Sequence, residues 1–155
     1  MNKDKIQEII EQIFKLSSCT LSSCEIQDDS GILWCSIDTP DSRFMIGRDG
    51  ETLRSLNHIV QKILDKEQRE EENRNFMIDI NGYQKKRFES LKNIAHMMAE
   101  RAKYFKSNIE IDPMPAFERR IIHLTLADHP DVTTESTGVG EGRKIVIKPR
   151  RIRNY

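Results

Sequence analysis

A chain of 155 residues with 37% apolar and 32% charged side chains can fill one domain core, or two small ones, beneath a heavily solvated surface. No run approaches the roughly 18 apolar residues of a membrane-spanning helix, and Met1 to Lys5 lead into a charged helical pattern rather than the apolar stretch of a signal peptide, so a cytoplasmic protein without a membrane segment is expected. The formal net charge of zero conceals a division, since residues 1–80 hold 10 Lys/Arg against 16 Asp/Glu and residues 81–155 hold 15 against 9.

Ile6, Ile9, Ile10, Ile13 and Phe14 recur at helical spacing and predict a helix over residues 3–16. Short strands follow over 25–28 and 32–38, with Asp29-Ser30-Gly31 supplying hairpin turn chemistry. Cys19, Cys24 and Cys35 are odd in number and lack C-x-x-C spacing, which favours reduced packing thiols over a disulfide framework or a zinc knuckle. Thr39-Pro40-Asp41-Ser42 breaks the second strand and offers a cap for a short helix through Phe44, Met45 and Ile46. Beyond Gly50, the spacing of Leu53, Leu56, Ile59, Val60, Ile63 and Leu64 predicts a second long helix. Lys66 to Asn75 has no apolar residue and reads as a solvated helix end or turn. Phe76, Ile78 and Ile80 alternate onto one face of a strand, and Asn81-Gly82 closes this half. The order describes an α+β unit in which three strands carry helices on one face.

The second half opens with a helix over 83–105, marked by Phe88, Leu91, Ala95, Met98, Ala102 and Phe105. A short strand at 109–111 and a turn at Asp112-Pro113-Met114-Pro115 precede a helix over 115–127 that His129-Pro130 ends. Strands over 132–137 and 143–148 flank a flexible glycine-rich segment, and Lys148 to Arg153 form a basic tail. The expected architecture is therefore two small α+β domains, 1–80 and 81–155.

Two short signatures carry the chemistry. In Ile46-Gly47-Arg48-Asp49-Gly50, the glycines let a backbone turn sharply and approach a ligand, and the following helix N-terminus directs its amides at an anion. Arg48 adds a positive charge. Asp49 adds a negative one, which repels phosphate unless its carboxylate is spent as a helix N-cap. In Arg119-x-x-x-His123 the two side chains share a helix face, the guanidinium suiting phosphate and the imidazole suiting base stacking or, when protonated, phosphate. Arg120 is adjacent, and Lys144 and Lys148 project with Val146 from one strand face, widening the basic surface. A basic half of this kind is the footprint expected where phosphates are neutralised.

The element order over residues 3–80, with its G-x-x-G loop between a short and a long helix, resembles a KH domain of the prokaryotic type. In that family the loop clamps the backbone of about four nucleotides while bases lie in an apolar groove. The resemblance implies that Gly47, Arg48, Asp49 and Gly50 form the clamp and that Ile46 and Leu53 help line the groove. Residues 83–149, through Pro113 to His123, Val132 to Ser136 and Arg143 to Pro149, resemble the R-3-H domain, named for Arg-x-x-x-His. That family binds single-stranded nucleic acid, which makes Arg119 and His123 the signature pair. A KH unit followed by an R-3-H unit is the arrangement of the bacterial Jag family, also called KhpB proteins. Longer members carry a further N-terminal Jag domain and linker that this chain is expected to lack. The resemblance implies single-stranded RNA as ligand, with single-stranded DNA as an open alternative, and pairing with a small KH protein that the residues themselves do not show.

Two other readings compete. His58, His96, His123 and His129 with the many carboxylates are raw material for a metal-dependent nuclease, but H-E-x-x-H, G-x-S-x-G and G-x-x-x-x-G-K-[ST] are all absent. No enzyme, metal or cofactor is therefore expected, and His96 beside the apolar stripe reads as a structural histidine. The alternative is a protein-interaction scaffold with a weakened KH surface. The expected function is post-transcriptional regulation through single-stranded RNA.

Overall fold

The computed structural model describes residues 3–29, 31–67 and 75–150. These fall into two compact units, residues 1–85 and 86–155.

In the first unit, helix α1 (Lys3–Leu16) leads to strands β1 (Ser23–Asp29) and β2 (Ile32–Asp38), a short helix α2 (Ser42–Ile46), a single 3-10 turn at Arg48–Gly50, helix α3 (Glu51–Glu67) and strand β3 (Asn75–Ile80). The sheet order is β1-β2-β3, with β1 antiparallel and β3 parallel to the central β2. One core joins Ile6, Ile10 and Phe14 of α1 to Val60 and Leu64 of α3 and to Leu33, Cys35, Ile37, Ile78 and Ile80 of the strands. The helical stripes and the strand alternation thus converge on one sheet face, as amphipathic elements must to remove their apolar sides from water. The outer edge of β3 is closed by Asn57 of α3, whose Oδ1 accepts from the Ile78 amide at 2.8 Å. The polar run expected at 66–75 lies outside the described residues over 68–74.

One local expectation fails for a physical reason. Asp41 precedes α2 but makes no side-chain cap; its carboxylate accepts from the Thr20 amide at 2.7 Å, tying the loop before β1 to the loop after β2. Asp79, on the β3 face opposite Phe76, Ile78 and Ile80, is 2% exposed. Its Oδ1 accepts from the Gln84 amide at 2.8 Å and the Lys85 amide at 3.4 Å, satisfying orphan donors in the first turn of helix α4 (Tyr83–Phe105). That anchorage ties the first turn of α4 to β3, and residues 83–85 group with the first unit.

The second unit continues α4 into strand β4 (Ile109–Glu110), helix α5 (Ala116–Leu126), strand β5 (Val132–Thr137), a 3-10 turn at Gly140–Gly142 and strand β6 (Lys144–Pro149). The sheet order is β4-β6-β5, antiparallel throughout. Strand β6 starts one residue later than expected because the Arg143 amide is drawn into the preceding turn, donating to Gly140 O at 3.2 Å. Leu91, Ala95, Ala99 and Ala102 of α4, Ile122 and Leu126 of α5, and Val132, Ile145 and Ile147 of the strands are buried. Phe105, expected on the α4 stripe, is 60% exposed, and His96 is exposed rather than structural. Among the described residues of this unit the one buried carboxylate is Glu118, which receives a forked pair of hydrogen bonds from Arg87 Nε and Nη2 at 2.8 and 2.9 Å. No helix among the described residues is long and apolar enough to cross a membrane.

Candidate nucleic-acid interface

The first candidate region begins where α2 ends. The Gly47 amide donates to Arg43 O at 3.1 Å, and Gly47 lies at φ 74°, ψ −174°, a conformation open only to glycine. A Cβ at this position would sit 2.1 Å from Thr52 Oγ1, so the first turn of α3 lies directly against the loop backbone. Asp49 follows in the left-handed region at φ 50°, ψ 29°. Gly50 (φ 75°) is buried beneath Tyr83, whose ring atoms would lie 3.1 Å from an added Cβ. Arg54 Nη1, from α3, donates to Asp49 O at 2.7 Å. The loop is therefore held on both sides, while the side chains of Arg48 and Asp49 at its tip are 93% and 92% exposed.

This geometry corrects three expectations. The Asp49 carboxylate does not cap α3; it stands in solvent with Arg48 Nε 3.9 Å away, so the tip carries a weak, screened ion pair. Not all loop amides face outward, because Gly50 donates to Gly47 O at 3.4 Å and Glu51 to Arg48 O. Leu53 lines no groove: at 2% exposed it packs in the core with Leu56, Val60 and Leu64, being the first residue of the α3 stripe. Ile46 is partly buried and packs against that core. The apolar surface beside the loop comes instead from Phe44, 73% exposed on α2. Phe44 and the cation Arg54 were not singled out from the sequence, and only their proximity to the glycines marked them.

The second candidate region lies on α5 and β5. Arg119 and His123 share one face of α5, and each is held by a partner of its own. Arg119 Nη1 donates to Met114 O at 2.7 Å, and His123 Nδ1 is hydrogen-bonded to Thr134 Oγ1 at 2.6 Å. Both residues are partly buried, so they have fixed orientations that ordinary surface side chains lack. Burial, followed by the neighbouring Arg119 charge, holds the His123 imidazole below the usual histidine range. At neutral pH His123 is therefore an uncharged ring, suited to stacking and to hydrogen bonding; it is not a phosphate-pairing cation. Thr134 was missed because its role depends on strand register. It alternates with Val132 and Ser136 on the side of β5 facing α5, opposite Thr133 and Glu135.

Arg120 is exposed next to the pair. Lys144 and Lys148 do lie on one face of β6, but each is engaged in an ion pair, Lys144 with Glu110 of β4 and Lys148 with Glu135 of β5. Val146, between them in register with Glu110 and Glu135, is only 7% exposed. That face is a charge-balanced cover, which corrects the expected basic extension. A groove of about 540 Å³ runs along α4 and the segment Asn108–Met114, with Leu91, Ile94, Met98 and Met114 on its walls and Arg87 and Arg101 beside them. Met114 links this groove to Arg119 through the carbonyl bond above. Among the described residues no three His, Cys, Asp or Glu side chains converge as a metal site would require.

Residues 89–149 match the R-3-H domain family, a nucleic-acid-binding family and not an enzyme family. The chain is similar to RNA-binding protein KhpB of Clostridium symbiosum, with 29% identity over 96% of this chain and 67% of the relative. It is also similar to RNA-binding protein KhpB of Bacillus subtilis, with 31% identity over 94% of this chain and 68% of the relative. A third relative, RNA-binding protein KhpB of Lactiplantibacillus plantarum, is 30% identical over 75% of this chain and 35% of its own length. The chain thus spans about two thirds of the length of the first two. On the strength of these similarities, the chain belongs to the KhpB family.

Proposed function

We propose that the protein binds single-stranded RNA through two backbone-holding contacts, one in each unit, and acts as a cytoplasmic post-transcriptional regulator. The observation that carries this reading is the preorganised pair on α5: Arg119 fixed by Met114 O and neutral His123 fixed by Thr134 lie side by side. A guanidinium meets phosphate while a flat uncharged ring beside it stacks on a base, a combination that suits single strands because their bases are free to splay. The relatives' names and the R-3-H match support RNA as the ligand.

For the first unit we read a KH domain, on its α-β-β-α-α-β order and the constrained Gly47–Gly50 loop with Arg48 at its tip. Tethering two weak sites makes the second contact effectively intramolecular, so neither need be strong alone. A small KH-domain protein is a candidate partner. The exposed Asp49 carboxylate and exposed Phe44 favour a second reading for this unit alone, a protein-contact surface in place of an RNA clamp. Fluorescence anisotropy of labelled single-stranded RNA, single-stranded DNA and duplex RNA across a salt series tests the proposal. Saturable binding preferring single-stranded RNA and weakening with salt is expected; equal binding of duplex, or no binding at low salt, contradicts it.

A further inference from the structure

The β1–β2 hairpin brings together two thiols that RNA binding leaves unused. In the antiparallel register Cys24 pairs with Ile37 and Ile26 with Cys35, so the cysteines are diagonal neighbours on one side of the sheet. Cys35 belongs to the core and Cys24 packs against it. Their Sγ atoms are 3.6 Å apart, and a disulfide at about 2.05 Å brings them about 1.5 Å closer. The two differ in the way an attacking and a resolving thiol differ. Cys35, on the central strand, is 0% exposed, whereas Cys24, on the edge strand, is partly open to solvent. The hydrogen bond from Cys35 holds the Cys24 thiol below its usual range, against the opposing effects of burial and of Glu11 on α1. The same hydrogen bond, with burial, pushes Cys35 up. The thiolate therefore forms at the sulfur that an oxidant reaches. Cys19 is engaged elsewhere, its Sγ lying 3.7 Å from Ser17 O.

We propose that Cys24 and Cys35 form a peroxide-responsive dithiol that closes to an intramolecular disulfide between β1 and β2. The Cys24 thiolate attacks a peroxide oxygen, the O–O bond breaks, Cys24 becomes a sulfenic acid, and the leaving oxygen takes a proton to give water or an alcohol. The Cys35 sulfur then attacks the Cys24 sulfur, the S–O bond breaks, and the hydroxyl leaves as water with the Cys35 proton. The two thiols lose two protons and two electrons, and the peroxide receives both.

The full chain is treated with hydrogen peroxide, alkylated under denaturing conditions, and measured by intact mass before and after Glu-specific proteolysis. Two of the three thiols should escape alkylation, with the mass of two hydrogens lost. Peptides 12–25 and 26–51 should be joined by a link that dithiothreitol reverses. Cys19→Ser should keep the link and Cys24→Ser should abolish it. Three alkylatable thiols after peroxide, a link that survives Cys24→Ser, or a bond between two chains would overturn the proposal.

Discussion

Gly47→Ala is expected to damage the first unit more than any other change in its loop, and the size of the effect follows from geometry. At φ 74°, ψ −174° an alanine is strained by about 1–3 kcal/mol whatever surrounds it. Its Cβ would also lie 2.1 Å from Thr52 Oγ1, 2.8 Å from Thr52 Cβ and 3.0 Å from the Thr52 amide nitrogen. The first contact can be relieved by rotating the hydroxyl away, but the others require the loop or the first turn of α3 to move. The total expected is about 3 kcal/mol, near the upper range for single substitutions. Trp34, the only tryptophan of the chain, is buried in the first unit and reports its unfolding selectively by fluorescence in urea. With a slope of about 1.5 kcal/mol per molar, the midpoint should fall by about 2 M. Thr52→Gly removes the Oγ1 and Cβ clashes and leaves the backbone strain, so in that background the same alanine should cost only about 1–2 kcal/mol. A Gly47→Ala protein within about 0.5 kcal/mol of the parent, or an unchanged cost in the Thr52→Gly background, would show that the loop does not have this shape.

His123 should titrate below the usual histidine value near 6.5 when its ring protons are followed by NMR. Because the unfolded chain then binds the proton first, its contribution to stability is complete above about pH 6.5 and declines as pH falls below it; a ring titrating above 6.5 would refute the assignment. Glu118→Ala strips the forked partner from Arg87 and should destabilise the second unit by about 2 kcal/mol, less than for a fully buried pair because Arg87 is half exposed. Calorimetry showing no shift of that unit's transition would count against it. Lys144→Ala and Lys148→Ala remove charges already matched by Glu110 and Glu135, so each should weaken RNA binding less than about threefold; a larger loss in either folded variant would restore them to the interface.

Much of this architecture was legible because periodicity is a local property. The stripes of α1 and α4 and the hydrophobic run of β2 gave their boundaries directly. The signature helix was equally legible, since Arg119 and His123 need only helical spacing to share a face. What escaped depends on contacts between distant residues. Leu53 has the same i, i+3 relation to Leu56 that any groove residue at a helix start would have, and only the packed sheet shows that it points inward. Asp79 reads as the polar half of a strand, yet it caps the next helix, whose first turn the Asn81-Gly82 reversal brings back to it. The lysines of β6 looked available because Glu110 and Glu135 reach them only through strand pairing. Cys24 and Cys35 likewise become neighbours only once the hairpin register is known.

The salt dependence of single-stranded RNA binding, measured side by side for the parent chain and Arg119→Ala, tests the central claim most directly. One phosphate contact on a single strand contributes a slope of about −0.7 in log affinity against log salt. The variant should remain folded, bind more weakly to every single-stranded sequence, and show a slope shallower by about that amount. A folded Arg119→Ala protein with undiminished affinity and an identical slope would place RNA somewhere other than the Arg119/His123 face.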